Sequence, residues 1–240
     1  MLILPVKVLH EFRLEGRQVV PLAGPGDGEA LVGLRFTPPM IELDGWNEAF
    51  CDEVQTRFPE STICLRHDFD SGEELLQFYR SGGRVFHLVA NYHGRGSDQR
   101  FVLHLIREAH NTFVKAGCRD AVTLLGSGGI IAAEHVPKAI ICGLDAIALD
   151  TPLLVALQAQ FVGECADRER SGFTLPRKLA LDWGVQRLKN LLAAWRDQLL
   201  EVLGAMGLRD VRRLRGETGR AMLQNELERE AFSGIEGYGQ

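Results

Sequence analysis

Short, unbroken runs of apolar residues alternate along this chain with stretches whose apolar positions recur every three or four residues. An unbroken run needs cover on both faces and reads as a strand of a parallel sheet; the three-to-four recurrence marks a helix with one dry face. Strands are predicted at Ala30–Phe36, Ser61–His67, Val85–Ala90, Ala121–Leu125 and Ala146–Leu149. Between them, a helix over 45–58 is capped by Asp44, and Ser71 with Glu74 forms a capping box for a helix to Arg80. Asp98 caps a longer helix to Ala116 with Phe101, Leu105, Ala109 and Phe113 on one face. A fourth helix, Ala132 to Cys142, stops at Gly143, and Asp150-Thr151-Pro152 opens a fifth that runs to 166.

The series is thus five βα units, at 30–58, 61–80, 85–116, 121–142 and 146–166. Such alternation predicts an α/β fold with right-handed crossovers, here a partial TIM-like (β/α) barrel with a C-terminal helical extension. Three parts follow: an N-terminal hairpin and loop (1–29), the half-barrel (30–166) and the extension (167–240), which packs on the barrel. The hairpin is read from two short strands within 6–20 that turn at Glu15-Gly16. The extension holds a polar loop, 167–178, and a long helix, Leu179–Met206, striped by Leu181, Val185, Leu188, Leu192, Trp195, Leu199 and Leu203. A glycine-rich tail follows Phe232. Five units do not close an eight-stranded barrel, so the open edges need the hairpin, the tail or another chain.

Composition narrows the partners. A net charge of −5 over 240 residues argues against nucleic acid or an anionic membrane surface as the main partner. Arg209, Arg212, Arg213, Arg215 and Arg220 then read as a solvated face or as partners for the acidic stretch Glu226–Glu230. Cys51, Cys64, Cys118, Cys142 and Cys165 are too widely spaced for a zinc or iron–sulfur motif and read as free thiols in a reducing compartment. Neither a signal-peptide pattern nor a run of membrane-spanning length is present in the sequence, which points to the cytoplasm.

Parallel barrels place their functional side chains at the carboxyl ends of the strands. Arg66, His67 and Asp68, Asn91 and His93, Ser127, and Asp150 and Thr151 fall there. Gly126-Ser127-Gly128-Gly129 suits an anion, because glycines let main-chain amides approach a phosphate closely. The same residues also have structural readings: a tight strand-to-helix turn, with Ser127 capping it, and Asp150 as helix N-cap. Arg66 has an ion pair with Asp68 or Asp150 open to it, and His87 reads as a hydrogen-bonded core histidine.

Several of these segments together resemble the FMN-binding synthase domain of glutamate synthases, in the C-terminal half of its barrel. GEALVGLRFTPPMIELDGWNEAF (28–50), STICLRHDF (61–69), VFHLVANYHGRG (85–96), LIREAHNTFVKAG (105–117), LLGSGGIIAAEHVPKAIICGLDAIALDTPLLVAL (124–157) and GLRDVRRLRG (207–216) follow the family's order, covering about 28–225. The resemblance implies FMN as cofactor, with phosphate held at Ser127, Gly128, Gly129, Asp150 and Thr151. It implies that Arg66 stabilises the reduced ring and that Asn91 and His93 orient a small-molecule substrate, a 2-oxo acid, imine or amino acid.

Departures from the family pattern qualify this. Arg66 stands where the family has lysine, Ile131 where it has arginine, and Asp150 where it has glycine. Only Cys165 lies where a cysteine cluster is expected, so no iron–sulfur cluster is expected. Three or four barrel strands and the glutaminase domain are also expected to be missing. The expectations are an FMN-dependent oxidoreductase subunit completed by a second chain or by self-association, or an inactive half-barrel serving as a structural or regulatory subunit of a multisubunit complex. An unrelated phosphate-ligand enzyme on the same architecture is the third class.

Overall fold

The computed structural model describes residues 1–14, 16, 18–68, 72–163 and 172–217. Its frame is a sheet of parallel strands: β1 (Leu2–Pro5), β2 (Val19–Ala23), β3 (Met40–Asp44), β4 (Thr62–Asp68), β5 (Val85–Val89), β6 (Thr123–Ser127) and β7 (Ala146–Ile147). These seven strands pair in the order of the chain, each with its successor, and every pair is parallel. The connecting helices are α1 (Val6–Phe12), α2 (Gly28–Val32), α3 (Glu48–Arg57), α4 (Gly72–Arg80), α5 (Val102–Lys115) and α6 (His135–Cys142). Crossovers of one hand that always step to the next strand put the helices on one side and curl the sheet around the other. The α/β, partial-barrel class read from the sequence is therefore what the chain adopts, with seven strands rather than five.

Successive strand residues face opposite ways, and the two faces differ in chemistry. Ile41, Leu43, Leu65, Phe86, Leu88 and Leu124 point to the helix side, where they are 0–1% exposed and pack with Phe50, Phe78, Leu105 and Phe113. Edge-to-face contacts of Phe78 with Trp46 and Phe86, at 4.8 and 5.1 Å, tie the loop after β3, α4 and the sheet into that layer. The alternate residues, among them Glu42, Cys64, Arg66, His87 and Ser127, line the concave side.

Three sequence expectations change in this frame. The predicted hairpin over 6–20 is β1, α1 and β2, a parallel βαβ unit joined to the sheet. Val6 and Leu9, each 1% exposed, sit one turn apart on the buried face of α1. The strand placed at 30–36 is instead α2 and a turn, and the true strand is Met40–Asp44, interrupted in its apolar character by Glu42. The helix expected over 151–166 is α7 (Thr151–Ala156), after which β8 (Gln160–Val162) pairs antiparallel with β9 (Gly172–Thr174).

The long helix is present as α8 (Leu181–Ala205), packed along α7 and α6. Leu203 and the 3-10 turn residue Leu214 join Ile140 and Ile141 in a second apolar cluster that fastens it. Beneath that cluster the Arg119 side chain, 6% exposed, bonds the carbonyls of Val122 and Gly143, Nδ1 of His110 and the Asp145 carboxylate. Asp145 also receives Arg215 at 2.6 Å, so Arg215 pairs inward, and Arg212 pairs with Asp210. Ser71, Cys165, Arg220, the Glu226–Glu230 stretch and the glycine-rich tail lie outside the described residues. Among the described residues no helix is long and apolar enough to cross a membrane, and no group of His, Cys, Asp and Glu is arranged to hold a metal ion.

Candidate functional site

Because β4, β5, β6 and β7 are consecutive neighbours, their carboxyl ends share one rim, and the predicted site residues gather there. On β4, Arg66 is one quarter exposed and its Nε lies 3.6 Å from Asp44 on β3; Asp44 is its ion-pair partner there. His67 points to the other face and pairs with Glu74 of α4 at 2.7 Å, which removes it from the concave side.

Asn91 and His93 follow β5 in a turn that Asn91 itself organises. Its Oδ1 accepts from the amides of His93 and Arg95 at 3.0 and 2.9 Å, fixing the loop in the manner typical of asparagine. His93 is exposed at the tip. Asn91 therefore contributes loop shape, and His93 is the side chain of the pair that faces solvent.

Ser127 ends β6, and the turn after it is built on backbone contact. Gly128 and Gly129 have φ of +95° and +69°, conformations that side-chain-bearing residues rarely adopt. A Cβ at Gly128 would stand 2.2 Å from the Ala90 carbonyl oxygen, and one at Gly129 would stand 2.4 Å from Cα of Gly94. The close approach that requires glycine here is thus between the β6 turn and the β5 loop. On the polar side of the same turn, the amides of Gly128, Gly129 and Ile130 donate no hydrogen bond among the described residues. Three consecutive amides without a partner among the described residues are donors suited to an anion. The helix dipole expected behind them is displaced, since α6 begins only at His135.

At the end of β7, Asp150 is the N-cap of α7. Its Oδ1 accepts from the Thr151 amide at 2.5 Å and from the Thr151 hydroxyl at 3.1 Å. The Thr151 donors expected to hold phosphate are therefore engaged by the neighbouring carboxylate. Ile131, where the resemblance places arginine, is 57% exposed and borders an open cleft of about 410 Å³ with Pro152, Val155, Leu191 and Trp195.

The sequence alone did not reveal the chain of buried polar groups behind the rim. His87, 4% exposed, has its Nδ1 3.0 Å from Oε1 of Glu42 and its Nε2 3.0 Å from Oγ of Ser127. Glu42 on β3 is 0% exposed and reaches across β4 to β5, a contact that requires the concave curvature of the sheet. Its second oxygen has no hydrogen-bond partner among the described residues. Beside it, burial and the Glu42 charge push the Cys64 thiol well above its ordinary pKa and keep it protonated.

Comparison with known proteins places these elements in context. A family model described as the conserved region in glutamate synthase matches residues 102–209, from α5 to just beyond α8. The chain is 33% identical over 112 residues to the archaeal glutamate synthase (NADPH) of Methanocaldococcus jannaschii, covering 43% of this chain and 22% of that protein. It is 35% identical over 109 residues to the archaeal-type glutamate synthase (NADPH) of Thermotoga neapolitana, covering 42% and 21%. The match thus spans about a fifth of the length of these curated relatives. Among solved structures, a mutant flavocytochrome b2 with pyruvate bound superimposes with a TM-score of 0.53 at 16% identity, covering 91% of this chain and 52% of that one, a likeness of fold.

Proposed function

We propose, from the match of residues 102–209 to the conserved region of glutamate synthase and the identity with archaeal glutamate synthases, that the protein is an FMN-dependent oxidoreductase subunit of glutamate-synthase type. The observation that carries the proposal is the row of uncommitted amides at Gly128–Ile130, inside the matched region and directly after Ser127. These donors and the Ser127 hydroxyl would hold the phosphate of FMN, and Arg66 would supply positive charge along the same rim. When bound, the flavin supplies two-electron transfer with the substrate, a 2-oxo acid, imine or amino acid. The protein's own part is to hold the phosphate, to place the guanidinium, and to present His93 at the solvent side of the mouth.

The seven strands leave β1 and β7 each with one bonded neighbour, one strand short of an eight-stranded closure. A second chain, or a second copy of this one, is proposed to complete the barrel. Titration with FMN, followed by quenching of flavin fluorescence, tests the cofactor. Saturable binding that Ser127→Asp abolishes is expected, and protein that takes up no FMN at tens of micromolar rejects the reading.

A second reading is favoured by Asp150, which occupies both Thr151 donors that the resemblance assigns to phosphate. In that reading the half-barrel is catalytically inactive and serves as a structural or regulatory subunit of a complex. Protein that takes up no FMN in the assembled complex would select it over the first, and micromolar FMN binding that Ser127→Asp abolishes would reject it.

A further inference from the structure

Glu42, His87 and Ser127 come from three different strands, are each at most 4% exposed, and form one hydrogen-bonded line ending at the amide-lined turn. Nothing in the phosphate reading uses Glu42 or His87. Their geometry fixes what the Ser127 hydroxyl offers an incoming ligand.

With Glu42 ionised, Nδ1 of His87 carries a hydrogen and donates it to Oε1. If Nε2 is bare, it accepts the Ser127 proton, and Oγ then turns only lone pairs toward the turn. That repels an anion. If Nε2 is protonated, it donates to Oγ instead, and the Ser127 proton is released to bond an anion. A dianion next to Ser127 therefore binds the protonated state of His87 better, and binding must draw a proton onto the ring. We propose that the Glu42–His87–Ser127 line makes anion binding at the Ser127–Ile130 turn proton-coupled, with His87 taking up the proton for a phosphate-bearing ligand. This rests on the phosphate site of the preceding subsection.

The charges around the ring support the direction. From β3, Glu42 contacts the imidazole, and its second oxygen, buried and without a hydrogen-bond partner among the described residues, favours an adjacent cation. From β4, Cys64 stays neutral, Asp68 lies near the rim, and Arg66, the register partner of His87, opposes protonation with its charge held by Asp44. From β6 the contact is Ser127 itself, and the anion would add its negative charge at that end.

Calorimetry in two buffers of different ionisation enthalpy counts the protons taken up per ligand. FMN is titrated at pH 8, where a phosphate monoester with a second pKa of about 6 is already a dianion, and sulfate serves as a probe whose own charge does not titrate. Proton uptake approaching one per ligand is expected, with affinity falling by up to about tenfold per pH unit as the pH rises. His87→Asn should abolish the uptake; should that variant fail to fold, Ser127→Ala should flatten the pH dependence and Glu42→Gln should reduce the uptake. Anion binding without proton uptake, or an unchanged slope in Ser127→Ala, overturns the inference. Sulfate binding with proton uptake while FMN fails to bind sustains it and removes the flavin reading, whereas failure of both anions to bind removes both.

Discussion

Gly129 meets Gly94 backbone to backbone, so its replacement has two costs. Alanine would hold a left-handed φ of +69° and push its Cβ to 2.4 Å from a main-chain carbon that has no side-chain freedom to yield. Gly129→Ala is expected to lose about 2–5 kcal/mol of stability, read by urea denaturation. Asp145 is a second exacting position: it neutralises Arg119, whose side chain is 6% exposed, and receives Arg215 and the Leu124 amide. Asp145→Ala strands a buried guanidinium and should cost about 3–5 kcal/mol, measured the same way. His110 couples that network to pH. Its Nδ1 accepts from Arg119, and burial, then the charges of Arg119 and Arg215, lower its pKa. The folded protein thus binds this proton less well than the unfolded chain does. His110 contributes stability above its unfolded pKa of about 6.5 that is lost as the pH falls toward its lowered folded value. Unfolding followed from pH 8 to pH 5 should show this loss, and His110→Asn should make the profile shallower.

At the scale of elements, α8 separates fastening from display. Leu203 is 6% exposed in the cluster with Ile140, Ile141 and Leu214, whereas Leu192 is 50% exposed on the same helix. Leu203→Ala is expected to cost about 2–5 kcal/mol and Leu192→Ala less than about 0.5, a contrast that paired thermal melts would show. The strands at 62–68, 85–89 and 123–127 were legible because unbroken apolar runs ended in glycine or polar turns. The helix in 6–12 was not legible, since VKV alternates like a strand and only the one-turn spacing of Val6 and Leu9 marks it otherwise. Strand β3 was missed for a reason that matters to function. A carboxylate in the centre of MIELD breaks the apolar run, and that carboxylate is the one that reaches His87. The rim itself was readable from strand ends, but a line of contact across three strands depends on sheet curvature, which local pattern does not encode.

For the whole molecule, the open pair of edges bears on assembly. Strand β7 is two residues long and β1 four, so the free ladder at each side is short, as protected edges tend to be. Completion of the barrel by a second copy of this chain predicts that the isolated protein sediments as a mixture whose mean mass rises with concentration. A single monomeric boundary up to about 100 μM would leave self-association without support and turn the search to a different partner chain.

The unswapped strand order has one more consequence, for synthesis. Every strand finds its hydrogen-bonding neighbour in the segment made just before it, so the growing polypeptide can settle onto an existing template step by step as it leaves the ribosome. The Glu42–His87–Ser127 line is then assembled late, when the third of its contributors emerges. A nascent chain arrested before Ser127 would lack both the end of that line and the amides that follow it.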